Sequence, residues 1–598
     1  MATQAPSLAQ INALAQQGQL GLALSQIEQV VIADSRNAQA WHLAGMLRRK
    51  AGDNAGAVDA LDRAIALGQG KAEVWNSLGL AHEDSGDLAK AETAFAKAAT
   101  IDRSYTPGLT NHARMLGRLG RHAEGEAVLA EALRRNPKSP DLLNALGALL
   151  IEDGRADEAE GLYRQSLAMR GNSRVAVIRL GQTLREQGRA DEAVALYRTQ
   201  RSVLGETPEF VNALAGALVE NGEWAAAEAE LERLCAAVPG NFQAHRSLAR
   251  LAREYGTGKD CYRSFRQLAA QFPDEPAVWL EWIGLLLHYR DYAEALEVIA
   301  AASACLSLEQ LDYAKAVALS ETGEGAAAEA LFHRLETTAT GMQQAGLTSR
   351  ARNAIRLQDP ALAERLCEEA VRQDPLDQFA LAYLGLAWRM RGDARELWLH
   401  DYERQAQQVP LEYLLDPARM EELRAYLRTL HKAKGHPPDQ SLRHGTQTEG
   451  ALLSRPHPLM RELRGAIAQA VRDYIDRLPD DAEHPYYRRK QQLFRFAGSW
   501  SVRLTTAGFH VAHIHQEGWI SSALHLVVPA RGADEDADAG ALVLGEPPAE
   551  LQTGLPPRRV VTPREGWLTL FPSSMWHGTL PFSGGSERMT VAFDIAPI

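Results

Sequence analysis

A register of 34 residues runs through the first two thirds of this chain. Set against itself at that offset, the sequence places Trp41 over Trp75, Gly45 over Gly79, Ala57 over Ala91, Leu61 over Phe95 and Ala64 over Ala98. The offset continues through Leu109, Ala113, Leu129, Ala132 and Pro137, then Leu143, Gly147, Ala159 and Tyr163, then Val177, Gly181, Ala193 and Tyr197. A unit this short cannot bury its own apolar face, so successive units must stack, each a pair of antiparallel helices. Small residues belong where two backbones approach closely, and the aromatic or leucine knobs fill the gap between neighbouring repeats. The stretches AGDNAG, DSGDLA, EDGRAD and EQGRAD supply the turn within each pair, where Gly accepts a left-handed backbone and Asp caps the following helix.

This pattern resembles the tetratricopeptide repeat. Weaker copies follow with Ala215, Ala227, Leu231 and Pro239, then Cys261, Phe265 and Pro273, then Trp279 and Ala295, and finally Ala363, Cys367, Ala370 and Pro375. About eleven repeats result, filling residues 1–408. A solenoid of this kind presents a groove suited to an extended peptide or a protein partner. The plainer reading is that it only stabilises or oligomerises the C-terminal third.

At 598 residues the chain exceeds what one core supports. Its net charge of −12 is spread among interspersed acids and bases, which argues against a nucleic-acid surface. No segment approaches the roughly 18 uninterrupted apolar residues of a membrane span, and the N-terminal stretch lacks a basic region followed by an apolar one, so the expected location is cytoplasmic, with no membrane partner. Cys235, Cys261, Cys305 and Cys367 show no paired metal spacing and read as free buried thiols. Histidine is different: 11 of 18 lie at or after His400. Ligands and acid–base groups are concentrated there.

Residues 409–497 read as connecting and buttressing helices, with apolar residues at three- and four-residue spacing in ARMEELRAYLRTLHKAKG and HPLMRELRGAIAQAVRDYIDRL. From Gly498 to residue 598 the period becomes two, in SWSVRLT, FHVAHIH, ISSALHLVVP, GALVLGE, GWLTLFPS and RMTVAFDIAP. Strands this short and numerous close into a sandwich, jelly roll or barrel, which can hold a metal at its mouth. In an extended segment His513 and His515 share a face, whereas His510 should face the other way. His577 in FPSSMWHGTLPF is a third candidate ligand, and three imidazoles leave positions open for substrate. Arg588 and Thr590 again share one strand face and can hold a carboxylate through a forked, charge-assisted contact and a hydrogen bond.

The order H-x-H, distal His, then R-x-T resembles the double-stranded β-helix of iron and 2-oxoglutarate oxygenases, and more closely the 2-oxoglutarate and iron oxygenases that follow tetratricopeptide repeats in bacterial proteins. HPPDQSLRHGTQTEGALL, GSWSVRL, GFHVAHIHQEGWISSALHLVVP and GWLTLFPSSMWHGTLPF with ERMTVAFDIAP carry the likeness. It implies an α + β multidomain chain in which an all-α solenoid precedes a jelly-roll oxygenase core. It implies Fe(II) on His513, His515 and His577, 2-oxoglutarate anchored by Arg588 and Thr590, and O2 consumed in a hydroxylation; the fused solenoid favours a protein or peptide side chain recruited by the repeats as substrate, with a small-molecule or carrier-bound substrate as the alternative. His515 departs from the family pattern, in which Asp or Glu is the second ligand, and this raises the net charge of the site by one.

A carboxylate from the acidic loop, Asp534 or Asp536, is an alternative ligand. His525 on the next strand could face the barrel and reads as core or as a hydrogen-bonding support rather than as a further ligand, His510 as a support or a surface group, and Trp519 and Trp576 as pocket wall or core. Arg443, Thr446, Gln447 and Thr448 suit either a co-substrate wall or a turn and helix cap. The rival functions are a repeat scaffold with a degenerate, non-catalytic barrel and a cupin with other metal chemistry.

Overall fold

The computed structural model describes residues 6–152, 155–255, 260–338, 340, 343–431, 441–448, 451–455, 457–529, 537–583 and 587–597, without the side chains of residues 506 and 507. It divides into two compact units, one of Met1–Leu184 with Ser202–Leu204 and one of Arg185–Arg201 with Gly205–Ile598.

The first unit consists of paired helices, such as Ala38–Lys50 with Asn54–Ala66 and Ala72–Asp84 with Leu88–Ile101. Gly52 between the first pair has φ +85°, the Asp53 N–H returns to the Arg48 carbonyl at 3.0 Å, and the Asp53 carboxylate caps the Gly56 N–H at 2.9 Å. Gly86 and Asp87 repeat this arrangement, with φ +81° and a cap on the Lys90 N–H at 3.1 Å. In EDGRAD, and in EQGRAD of the second unit, the acids instead enter the first helical turn as Asp157 and Asp191, where they face the positive end of the helix dipole. Cap positions there are Arg155 and Arg189, whose guanidinium groups fork onto Glu158 and Glu192.

The knobs pack on the glycine of their own repeat and also reach the next one, Leu61 clustering with Val74 and Leu78 and Phe95 with Met115. A Cβ on Gly45 would lie 2.5 Å from Leu61, on Gly79 2.6 Å from the Phe95 ring and on Gly147 2.8 Å from Tyr163, and all three knobs are fully buried. Gly161, on the helix Ala156–Met169, has open space around it. Gly79→Ala should therefore cost about 1–3 kcal/mol through overpacking, and Gly161→Ala should add about 0.5–1 kcal/mol by restricting the unfolded chain. Urea midpoints of the two variants measure this, and shifts of the same sign would remove the packing account.

The second unit continues the pairs through Leu308–Glu321 with Gly325–Leu335 and Gln344–Arg356 with Pro360–Gln373, where the 34-residue register is faint in sequence. Arg290 (φ 61°) and Gln358 (φ 57°) take the left-handed turn position without glycine.

Nine strands complete the described elements: β1 Gln407–Pro410, β2 Leu442–Gln447, β3 Phe494–His510, β4 Ile520–Val527, β5 Leu542–Leu544, β6 Arg559–Val561, β7 Trp567–Pro572, β8 His577–Thr579 and β9 Arg588–Pro597. They form a six-stranded sheet in the order β1-β7-β4-β9-β3-β2 and a three-stranded sheet in the order β6-β5-β8, every pairing antiparallel. The chain is thus an all-α solenoid followed by curled antiparallel sheets, as the sequence led us to expect. β1 and β2 come from a stretch that reads as helical and connecting, and β3 fuses two runs that read as separate strands.

Period two sets the two faces of the large sheet. Met589, Val591, Phe593 and Ile595 of β9 join Leu524, Leu568 and Leu570 in a core under the helices Pro417–Leu430 and Pro458–Arg477, through Leu423, Leu427, Leu463 and Ile467. Arg588, Thr590, Ala592 and Asp594 alternate with them and so occupy the inner face.

The last repeats pack on this β region. Leu381, Leu384 and Trp388 of the helix Gln378–Met390 share one apolar cluster with Ile514, Leu551 and Trp576. The Tyr383 and Trp576 rings lie 5.6 Å apart, Arg389 donates to the Gly545 carbonyl at 2.5 Å, and His400 meets the Ser574 hydroxyl at 3.0 Å. Among the described residues no helix is long and apolar enough to cross a membrane.

Candidate metal centre

β3 ends at His510, and the chain then runs extended beside the segment leading into β8. His513 and His577 exchange backbone hydrogen bonds of 2.9 and 3.0 Å, and the His515 N–H reaches the Ser573 carbonyl at 3.1 Å. This pairing brings the three imidazoles together, with ring centroids 4.2 Å (His513 and His577), 5.0 Å (His513 and His515) and 5.0 Å (His515 and His577) apart. Each ring has an acceptor behind it: Nδ1 of His513 faces the Val511 carbonyl at 2.8 Å, Nδ1 of His577 the Met575 carbonyl at 2.9 Å, and Nδ1 of His515 the Asp594 carboxylate at 2.6 and 2.7 Å. Carbonyl and carboxylate oxygens only accept, so all three Nδ1 atoms carry a proton, and each ring in its neutral form presents a lone pair at Nε2.

Those lone pairs converge. Nε2 of His513 and His515 are 3.1 Å apart, and one ligand atom from each of the three residues lies within 4.8 Å of the others. Two acceptors at that distance repel unless a proton or a metal lies between them, and a metal bonded to imidazole at about 2.0–2.1 Å can span such a gap. Burial lowers His513 to about 3, with the neighbouring His515 adding to the effect, and holds His577 well below the ordinary imidazole range. Both rings stay neutral, as ligands must, at physiological pH. The residues fit a divalent metal with open positions.

A cavity of about 260 Å³ extends from the imidazoles, lined from the large sheet by Trp500, Val502, Ala523 and Thr590 and from the small one by Leu542 and Thr579. Arg588 also lines it, 3% exposed, its Nε without a hydrogen-bond partner. Burial lowers its guanidinium to about 10, so it remains charged at neutral pH. Among the described residues no carboxylate pairs with it. His525 lies opposite Thr590 in the β4–β9 register, fully buried, with both ring nitrogens unpartnered. Desolvation first, then the Arg588 charge, hold it well below its ordinary value. Arg588 and Thr590 thus give the cavity a positively charged, donor-bearing wall suited to an anion, and His525 lies across the strand pair from Thr590 without lining the cavity.

His510 corrects the sequence reading. It faces the cavity, its ring 6.0 Å from that of His513 and its Nδ1 3.1 Å from the Ser441 hydroxyl, because the chain leaves the strand after it and alternation breaks. Trp519 belongs to the outer core and Trp576 to the repeat contact, so neither lines the cavity. That wall is Trp500, whose ring is 5.6 Å from His515. Gln447 lines the cavity from β2, whereas Thr446 bonds His431 and Thr448 accepts from the Ser501 N–H at 2.9 Å. Arg443 and Thr446 are strand residues of β2, not a turn or cap. Asp534 and Asp536 lie outside the described residues. Sequence reasoning missed Trp500, Ser441 and Asp594; the period-two run of β9 places Asp594 on the face of Arg588 and could have found it.

Residues 498–594 match the model of the family described as "Putative 2OG-Fe(II) oxygenase", and residues 8–72, 42–106, 110–174, 150–202 and 184–251 match tetratricopeptide-repeat models. The chain joins tetratricopeptide repeats to a domain of this oxygenase family. Similar solved structures include MamA (18% identity over 27% of this chain and 94% of that one, TM-score 0.25) and yeast Tom70 (13%, 65% and 95%, TM-score 0.33). A third is YrrB, described as a TPR protein with an unusual peptide-binding site (17%, 28% and 86%, TM-score 0.24). No curated protein sequence matches the chain. Within the oxygenase-family segment fall all three imidazoles, Arg588 and Thr590.

Proposed function

We propose that the chain is an Fe(II)- and 2-oxoglutarate-dependent dioxygenase that hydroxylates a protein or peptide side chain recruited by its repeats. The observation that carries this reading is the pairing of three convergent imidazole lone pairs with a buried guanidinium, unpaired among the described residues, in one cavity. His513, His515 and His577 hold the iron, and Arg588 with Thr590 binds the distal carboxylate of 2-oxoglutarate, His525 standing beside them. Bound iron and 2-oxoglutarate supply the oxidising chemistry: O2 is consumed, 2-oxoglutarate becomes succinate and carbon dioxide, and one C–H bond of the substrate becomes C–OH.

The chain's own residues orient and enclose. Carbonyls of Val511 and Met575 fix two ligand tautomers, the Arg588 charge sets the direction in which a dicarboxylate enters, and Trp500 and Phe571 keep the walls apolar so that charge interactions there are strong. The two curled sheets enclosing the cavity support a double-stranded β-helix reading. Peptide delivery is the work of the stacked repeats, which in such solenoids present an extended binding surface. We place the protein in the cytoplasm, where its four free thiols stay reduced.

The test adds iron(II) and then 2-oxoglutarate anaerobically to the full-length chain and monitors the weak visible charge-transfer band of a chelated keto acid. A band that needs both additions supports the reading. Iron that is neither bound nor retained would favour the scaffold.

A further inference from the structure

Asp594 lies outside the metal-facing side of the cluster, yet three contacts fix it. Both its carboxylate oxygens lie against His515 Nδ1, at 2.7 and 2.6 Å, and the Ser521 hydroxyl donates to it at 2.7 Å. Ser521 is its register partner across β4 and β9, and Ser521 in turn meets the Ser573 hydroxyl at 2.8 Å, on the residue whose carbonyl holds the His515 backbone. The carboxylate is buried, at 8% exposure, so its charge is not spread into water. An ionised carboxylate buried this deeply is costly unless a hydrogen-bonded partner offsets it.

Charge counting gives this contact a meaning. Three neutral imidazoles around a divalent ion leave a net charge of two, whereas two imidazoles and one carboxylate leave one. Adding Asp594, one ring removed from the ion, brings the first arrangement to the value of the second. Through the Nδ1–H contact the carboxylate also makes Nε2 of His515 a stronger donor and fixes its tautomer.

We propose that Asp594 is a positioning residue that turns His515 into an anionic ligand pair, restoring from behind the ring the charge lost where His515 stands in place of a carboxylate. This rests on the metal reading above. The strand register makes the relocation possible: β9 delivers Asp594 on the inner face, six residues after Arg588, so one strand carries both the carboxylate behind His515 and the guanidinium that lines the cavity.

Cobalt(II) titration of the metal-free, full-length chain, read by its visible ligand-field band, separates the outcomes. Asp594→Asn preserves size and hydrogen bonding but removes the charge, and should bind cobalt about 10–100-fold more weakly. Placing a carboxylate in the ligand position, His515→Asp with Asp594→Asn, should recover most of that loss, which a purely structural role for Asp594 would not produce. Ser521→Ala, which keeps the charge and frees it from its strand partner, should lose less than Asp594→Asn. Parent-like cobalt affinity in Asp594→Asn, or a double variant as weak as the single one, overturns the inference and leaves the metal site standing. A parent chain that binds no cobalt overturns the metal reading itself.

Discussion

Arg588→Met should make the protein more stable and destroy co-substrate binding. The guanidinium is charged, 3% exposed and unpaired among the described residues, so the fold carries its desolvation cost without a compensating ion pair. Methionine fills similar length with apolar atoms, and replacing such a charge is worth about 1–4 kcal/mol, a gain of several degrees in melting temperature. The bound dicarboxylate loses its buried partner, at about 2–5 kcal/mol, or roughly 30- to 5,000-fold in 2-oxoglutarate affinity. Iron binding should be unchanged. Thermal melts and the charge-transfer titration together check this. A lower melting temperature would make Arg588 a structural anchor, and unchanged affinity would remove it from the co-substrate site.

A second large effect is expected from cutting the chain where its sequence period ends. Residues 409–598 alone should fail to hold metal, although they contain every proposed ligand, whereas a chain beginning at residue 205 should bind as the full protein does. Ile514 lies between two of the imidazoles in sequence and Trp576 directly precedes the third, and both are buried against the repeat helix Gln378–Met390. Stripping that helix exposes Ile514, Leu551 and Trp576, at about 1.5–3 kcal/mol each, a sum comparable with the 5–15 kcal/mol stability of a whole domain. It also removes the Arg558 partner Glu396 and part of β1. Metal content of the two purified fragments is the measurement. Full loading of residues 409–598 would show that the repeats do not support the ligand loops.

Much of this was legible in the residues themselves. Gly79 and Phe95 or Gly147 and Tyr163 announce a helix pair because a side chain at the glycine would collide with the knob, a constraint local enough to repeat in sequence. His513 with His515, and Arg588 with Thr590, share a face for the same local reason, that extended backbone alternates. His510 shows where such reasoning stops: one departure from strand geometry at residue 511 turned its side chain into the cavity, and no periodicity records that. The copies around Arg290 and Gln358 read as weak because the turn conformation persists there without glycine, and the pair Leu308–Glu321 with Gly325–Leu335 carries no copy that the spacing showed.

By itself the sequence determined the repeat, the change of period at the β region and the identity of the residues that face one another across a single strand. Each depends on spacing within a few residues or on one fixed offset, which the covalent chain sets. Only the tertiary structure decided that Asp594 backs His515 across 79 residues, that His525 joins Thr590 across a strand pair, and that a repeat helix seals the ligand loops. Those contacts depend on sheet order and on how layers pack, which are properties of the whole burial problem and leave no period in the chain.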